Sequence, residues 1–588
     1  MALAVVGEVG SALQLISFAF EAFNGCLEAY KFIYTAKHLD RDQDSLCSQL
    51  LFEDARLKQW ASRAGLPDQA QKRLDWQTIV RILQYQEKLV TSADELRRRY
   101  KLNTTEVPEE AVDDGVALGY PSQGTQDTPA PGSTGILLRL RTRTFSNSIR
   151  GRPNVGKTIR RIQWAAVGKE KTTKVVEDIS ALNGRLYEML DLAAQDEARD
   201  SMHALLRDAV SRCTNTGEIF NIQALLRPDS STDTAAIDAA AQLRGLRIFM
   251  KDERREEQAV KAYAGKVPVK IWDEAKLDLR PDEYNGMALG RYNEQSILIE
   301  WRVVREVRWD DLQKPMRELA ALLSVAQDRA FHNLQCAGLF ELPGRDRFGL
   351  VFEIPGTKSS NDIDATKAGT LLDMLTSIPR ASLADRIRIG RDISEAVVQL
   401  HTSGWLHKGI RSENVFFITA AGTKSIDLLR SEPYLVGYVD SRPATNEGAV
   451  LTELPLRAPH ADLYRHPAAR GASRQEFKKR FDMYALACVL TELALWKPLD
   501  QILADHASDH EDGRSKEAEH GTSVTHVSSL CDVVISTKFI EEILHCIGPG
   551  YLEAIKLCLG MQPSRSDEEE ASLRVQGAVL RQLRLCKL

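Results

Sequence analysis

Cysteine is thinly spread and never patterned. Nine cysteines lie between Cys26 and Cys586 in 588 residues, an odd number with no C-x-x-C spacing. That argues against a thiolate metal site and a disulfide framework, and it suits a reducing cytosol. Net charge is also small: 77 Lys and Arg face 82 Asp and Glu, giving −5. No general attraction to nucleic acid or to an anionic membrane follows, so either would need a local patch. A secretory leader is not expected, because no basic segment precedes the apolar first residues and Glu8 interrupts them. Lipidation motifs are missing too, since Cys586 stands one position too close to the final Leu588 for prenylation. These absences together place the expected location in the cytoplasm, with recruitment to the plasma membrane left to local features.

Those local features begin at residue 1. Glu8 is the only charge among residues 1–20, and apolar residues continue to Ile33. Such a stretch is either a helix buried in a bundle or one able to enter a bilayer. Gly7, Gly10 and Gly25, with Gln14, Glu21, Asn24 and Glu28, argue against a permanent span. Leu13, Leu15, Ile16, Phe18 and Phe20 are the candidate membrane-contacting residues. A second feature is a basic block. Arg139, Arg141, Arg143, Arg150, Arg152, Lys157, Arg160 and Arg161 occur without an intervening acid. Each basic residue near an anionic lipid surface contributes about 1 kcal/mol, and a solvated loop is the alternative. Nucleic acid is not expected there, because only Phe145 and Trp164 offer stacking surface.

Within that block, Gly151-Arg152-Pro153-Asn154-Val155-Gly156-Lys157-Thr158 fits the phosphate-binding pattern G-x-x-x-x-G-K-[ST]. Its context is wrong: seven residues, most of them polar, separate it from the nearest strand-like run, and no alternating strand–helix series follows. Coincidence is the favoured reading, with nucleotide binding left open. Residues 103–134 are rich in Pro, Gly, Ser, Thr and acids, as expected of a disordered insertion. His506, His510 and His520 lie in a charged loop whose irregular spacing fits a polar insert better than a metal site.

Three N-terminal runs carry a family resemblance: Gly7-Glu8-Val9-Gly10-Ser11-Ala12-Leu13, Phe23-Asn24-Gly25-Cys26-Leu27-Glu28-Ala29-Tyr30 and His38-Leu39-Asp40-Arg41-Asp42. Leu50, Asp54, Ala55, Leu57, Trp60 and Ala61 follow, closing at Gly65-Leu66, and a later segment runs from Arg160 through Trp164 to Lys171. Together they resemble the fungal HeLo domain of prion inhibition and propagation. The resemblance implies a helical bundle whose first helix is released to disrupt membranes in heterokaryon incompatibility, and it makes self-association an expectation.

A second resemblance centres on His407-Lys408-Gly409-Ile410-Arg411-Ser412-Glu413-Asn414, which looks like a protein-kinase catalytic loop, H-R-D-L-x-x-x-N, with Gly409 at the proton-accepting Asp. Ile387, Ile389, Ile393, Val397 and Leu400 recur ahead of it at helical spacing. Behind it, Tyr464-Arg465-His466-Pro467-Ala468 resembles the end of an activation segment, retaining Pro467. The run Phe481 to Leu493 resembles the F helix, whose Asp482 would hold the loop backbone. The metal-binding D-F-G position falls on Gly437-Tyr438-Val439, with Asp440 out of register. The strand-three lysine falls on Glu300 or Arg302, the register being ambiguous. Glu318 is the helix-C candidate, Gly286 and Gly290 the only glycine-loop candidates, and Glu353 lies on a hinge-like run.

A degenerate domain of this kind is expected not to transfer phosphate, since His407 and Asn414 persist but Gly409 and Gly437 lack carboxylates. No cofactor is required. Asn414, Arg302 and Glu353 nonetheless leave an ATP slot open, and no metal site is expected. The fold expectation is an all-α HeLo-like bundle over residues 1–228, a brace helix over 229–266, and an α+β bilobal kinase-like domain over 267–588. Two functions are compatible with this. One is a cell-death or signalling effector, in which an unidentified upstream protein acts on the pseudokinase to free the bundle. The other is an atypical ATP-dependent kinase acting on protein Ser/Thr. The first parallels, in architecture only, the mixed-lineage kinase domain-like executioners of animals.

Overall fold

The computed structural model describes residues 12–34, 44–66, 71, 73–91, 169–226, 232–252, 257–284, 286–293, 295–304, 308–355, 367–419, 425–443, 459–470, 475–507, 530–560 and 568–586. The expected insertion, the basic block, the phosphate-loop-like octet, His510 and His520 fall outside these residues. The chain divides into two compact units, Met1–Met202 with Phe220–Arg227, and His203–Ile219 with Pro228–Leu588.

The first unit is helical. Helix α1 (Ala12–Tyr34) buries Ala19, Ala22, Phe23, Cys26, Ala29 and Tyr30, a spacing that makes one stripe of a 3.6-residue helix. The rest of the helix is not apolar on every side: Gln14, Ser17, Glu21 and Glu28 are exposed. Small residues in the stripe let α3 (Trp76–Thr91) approach closely. A Cβ on Gly25 would lie 2.1 Å from Glu87 Oε1 of α3. Burial, with Glu21 and Glu28 opposite, raises the Glu87 carboxyl above its ordinary value.

Helix α2 (Asp44–Ala64) ends where its sequence provides a terminator. Gly65 adopts φ +81° and Leu66 N–H reaches back to Ala61 O at 2.9 Å, a left-handed helix cap that glycine makes without strain. With α4 (Lys169–Glu188), α1 to α3 enclose fully buried Trp60, Leu57, Ile79, Leu83 and Ile179. The core also contains a polar chain. Gln86 Nε2 donates to Tyr30 Oη and, at 2.9 Å, to Asn183 Oδ1, and Asn183 Nδ2 donates to Glu53 Oε2 at 2.7 Å. Buried amides left without such partners would each cost about 1–3 kcal/mol.

Helices α5 (Leu192–Arg212) and α6 (Thr216–Leu226) each contribute to both units. The second unit continues with α7 (Thr232–Lys251) and α8 (Glu257–Tyr263), then an antiparallel sheet. Its strands are β1 (Leu277–Tyr284), β2 (Met287–Tyr292), β3 (Gln295–Val303), β4 (Cys336–Leu342) and β5 (Arg347–Glu353), in order β1-β2-β3-β5-β4. Helix α9 (Trp309–Val325) packs on β4 and α7.

Strand period decides orientation in β3. Ile297, Ile299 and Trp301 join a core cluster with Trp272, Tyr292, Phe340 and Val351, so Leu298, Glu300 and Arg302 turn to the opposite face. The register that sequence left ambiguous is thereby resolved as far as direction: Glu300 and Arg302 point the same way.

A mainly helical part follows. It contains β6 (Lys367–Thr370), α10 (Leu371–Ser377), α11 (Leu383–Thr402), β7 (Trp405–Leu406), β8 (Val415–Thr419), α12 (Ser425–Arg430), β9 (Pro433–Leu435) and β10 (Arg442–Pro443). Next come α13 (Pro459–Leu463), α14 (Lys479–Leu495), α15 (Leu499–Ala507), α16 (Leu530–Val533), α17 (Thr537–Ile547), α18 (Pro549–Leu559) and α19 (Glu568–Leu585). Helix α11 starts at Ser382, whose hydroxyl accepts from Asp385 N–H. Helix α14 is buried on all sides, from Phe481 to Leu495, as a helix apolar around its circumference must be. Helix α7 packs on α11. There Arg247 donates to Gly404 O, and Asp233 forms a two-pronged pair with Arg584 of α19 at 2.7 and 3.0 Å.

Candidate functional site

The stretch between α11 and β8 is organised by one carboxylate. Asp482, in the first turn of α14, is fully buried. Oδ2 accepts from His407 N–H at 2.8 Å and from His401 Nε2 at 3.1 Å, and Oδ1 accepts from Lys408 N–H at 2.8 Å. Lys408 holds φ +68°, a left-handed conformation that a side chain adopts only when its surroundings enforce it. The carboxylate is that enforcement. Asp482 thus holds the backbone of His407 and Lys408.

Loop residues expected to be catalytic in an active enzyme converge on one another. His407 Nδ1 accepts from Gly409 N–H at 3.2 Å, and its ring stands edge-on to Tyr438 at 4.8 Å. Asn414 Nδ2 donates to Gly409 O at 2.7 Å. Gly437 lies directly beneath, with φ +89°, and a Cβ there would fall 2.2 Å from Asn414 Nδ2. His407, Gly409, Asn414 and Gly437 therefore form one cluster. Asn414 commits its Nδ2 to the loop, and the side chain of Asp440 lies outside the described residues.

The sheet supplies the opposite wall through the two strand-three candidates, whose partners the sequence did not indicate. Glu300, 3% exposed, accepts from Gly437 N–H through Oε2 at 3.1 Å and from Val439 N–H through Oε1 at 2.8 Å. Arg302 donates to Val439 O. Both strand-three candidates thus reach the turn after β9. Only the alternation of β3 could have indicated this, and alternation says nothing of what lies across the cleft. The other candidates stand apart: Glu318 pairs with Lys314 within α9, and Glu353 ends β5 opposite Ile297. Gly286, φ +82°, turns the chain between β1 and β2, while Gly290 allows β2 to lie against Asp278 O, where a Cβ would come within 2.8 Å.

Residues 459–470 are held to the loop by two polar links. Glu413 Oε1 is 2.7 Å from His460 Nδ1, and Ser412 Oγ lies 2.8 Å from Tyr464 Oη and 3.2 Å from Glu492 Oε1. Burial pushes Glu492 up to about 8. Pro467 opens a single 3₁₀ turn, whose Ala468 N–H is capped by His466 Nδ1 at 3.1 Å. The bond to Glu413 holds the His460 pKa above 6.5. Burial raises the Glu413 carboxyl, but His460 and Arg411 outweigh it and leave it below 4.5.

A pH dependence follows with a definite sign. The His460 contribution is complete below 6.5 and disappears as pH rises through its raised value; the Glu413 contribution is complete above 4.5 and disappears as pH falls through its lowered value. A His460→Ala variant should therefore be less stable than the parent by about 1 kcal/mol near pH 5.5. The gap should close toward pH 9 in paired urea titrations, and a gap independent of pH would exclude the ion pair.

Among the described residues no group of three or more His, Cys, Asp or Glu is placed to hold a metal ion, and no helix is long and apolar enough to cross a membrane. Of the candidate membrane residues, Leu15, Ile16 and Phe20 are half-buried against the bundle core and Phe18 is exposed. Leu13 belongs to α1, its side chain lying outside what is described. No curated protein matches the chain. Residues 10–221 match the model of the HeLo family, prion-inhibition and propagation.

Proposed function

We propose that residues 267–588 are a protein-kinase-like domain without phosphoryl-transfer chemistry, and that this domain controls a membrane-directed HeLo bundle in a cell-death response of the heterokaryon-incompatibility type. The HeLo match points to that class of function. The kinase-like half of the reading is carried by one observation: Asp482 clamps the backbone of His407 and Lys408, yet the loop so positioned bears Gly409 and Gly437 where a kinase needs a proton acceptor and a metal ligand. The scaffold of the chemistry persists and its carboxylates do not. ATP with magnesium fits these residues poorly, because the Glu300 carboxyl group already takes the amides of Gly437 and Val439 and neither Gly409 nor Gly437 offers an acid to hold the cation.

The bundle would act through α1. Its stripe from Ala19 to Tyr30 is buried in the bundle, so contact with lipid requires that the helix leave its groove. The basic residues between Arg139 and Arg161 would direct the bundle to anionic headgroups. Self-association and an upstream protein activator belong to this reading, and nucleic acid does not. Full-length protein added to vesicles containing anionic lipid should release an encapsulated dye once activated, and deletion of residues 1–30 should abolish release. Undiminished leakage after that deletion would eliminate α1 as the effector. In parallel, radiolabelled ATP should give no transfer to protein Ser/Thr, and transfer lost on Asn414→Ala would revive the atypical-kinase reading.

A further inference from the structure

The turn after β9 has the form of an anion receptor. Gly437 is left-handed, φ 89° and ψ 33°, and Tyr438–Asp440 continues as a 3₁₀ turn. A left-handed residue followed by a right-handed one aims alternate N–H groups into a shared concavity, the arrangement that binds phosphates in many sites. Here the N–H groups of Gly437 and Val439 are those alternate donors, and both are already taken by the two oxygens of Glu300, at 3.1 and 2.8 Å. The carboxylate is buried, and it arrives from a strand fixed on both sides, Glu300 standing opposite Met287 of β2 and Leu350 of β5. Below the turn, Asn414 O accepts from Val436 N–H at 2.9 Å and His407 O from Ser441 Oγ at 3.1 Å. The concavity is thus tied to the loop on one side and to the sheet on the other.

We propose that Glu300 is a built-in anion that closes the cleft between the sheet and the helical part of the second unit without any ligand, taking the place a phosphate would take in the Gly437–Val439 concavity. Arg302 completes the clasp from the same face of β3 by donating to Val439 O. Two N–H groups bonded to the two oxygens of one carboxyl group in a site screened from water hold the closed arrangement without a nucleotide. A conformational signal passing through this unit would then work by breaking the clasp rather than by filling a pocket.

The inference rests on the pseudokinase reading only for the role given to closure; the clasp itself is testable without it. Hydrogen–deuterium exchange on the full chain should show the amides of segment 435–441 protected in the absence of ligand. Protection and melting temperature should stay unchanged with millimolar ATP, with or without magnesium. Glu300→Ala should speed exchange in that segment by about ten- to a hundred-fold, the loss expected for bonds to a charged acceptor. Glu300→Gln retains the shape and one acceptor oxygen, and should speed it by less while leaving the circular dichroism of the protein intact. Fast exchange in the parent, or exchange in the folded Gln and Ala variants equal to the parent, would overturn the clasp. ATP-dependent protection of 435–441 in the parent would likewise overturn it, whereas phosphate transfer by a parent with a protected, ATP-insensitive segment would overturn the pseudokinase reading and leave the clasp standing.

Discussion

Asp482→Ala should destabilise the second unit by about 3–5 kcal/mol, the range expected when one side of a buried charged network is removed. Three donors lose their acceptor at once: the N–H groups of His407 and Lys408 and the Nε2 of His401. His401 and His407 are buried to within 1%, so water cannot replace the lost partner without the loop opening. Lys408 also keeps its left-handed backbone, φ +68°, only under this constraint, and its relaxation would carry Gly409 away from Asn414. Asp482→Asn should cost less than Ala, since one oxygen can still accept, although its amide group would face a donor. Urea unfolding followed by far-UV circular dichroism, with exchange mass spectrometry to locate the loss in segment 401–414, measures both. A change under about 1 kcal/mol for the Ala variant would show that the loop is held by other means.

The helix and strand that flank the loop depend on local pattern, whereas the loop and Asp482 were indicated by resemblance. Apolar residues at helical spacing from Ile387 to Leu400 point to α11 and the apolar run Val415–Ile418 to β8, while α14 was indicated by the resemblance of Phe481–Leu493 to an F helix. The end of α2 was legible for a similar reason, since Gly65 is one of the few residue types that can make the cap. Glu300 was not. A glutamate on a strand reads as an exposed or phosphate-repelling residue until something across the cleft is known to offer it two amides, and those amides lie 137 and 139 positions away. Backbone donors carry no side-chain signature. The polar chain Gln86–Asn183–Glu53 was hidden for the same reason: each residue looks like a surface position, and only the packing of α2, α3 and α4 turns them inward.

Aspartate substitutions should separate the two glycines. At Gly409 a Cβ would meet Asn414 Nδ2 at 3.2 Å and Gly437 O at 3.3 Å, tight but adjustable, so Gly409→Asp should change stability by no more than about 1 kcal/mol, as expected away from a named destabilising mechanism. Gly437→Asp is another matter. The φ of +89° costs a side-chain-bearing residue about 1–2 kcal/mol. The new Cβ would also lie 2.2 Å from Asn414 Nδ2 and 2.6 Å from its Cγ, and forcing atoms into a filled space adds about 1–3 kcal/mol. A total near 2–5 kcal/mol follows from these two terms. The new carboxylate would in addition share the turn with Glu300, whose Oε2 is 3.1 Å from the Gly437 nitrogen. Gly437→Asn separates the causes, because asparagine tolerates left-handed backbone better than aspartate's charge tolerates Glu300. If strain dominates, Asn should be the mildest of Ala, Asn and Asp; if repulsion dominates, Glu300→Gln should rescue Asp and leave Ala unchanged. The double variant Gly409→Asp/Gly437→Asp should therefore be less stable than the parent and still transfer no phosphate. Recovery of ATP-dependent transfer, or a Gly437→Asp variant as stable as the parent, would mean that the cleft can open around a metal ligand more readily than its packing implies.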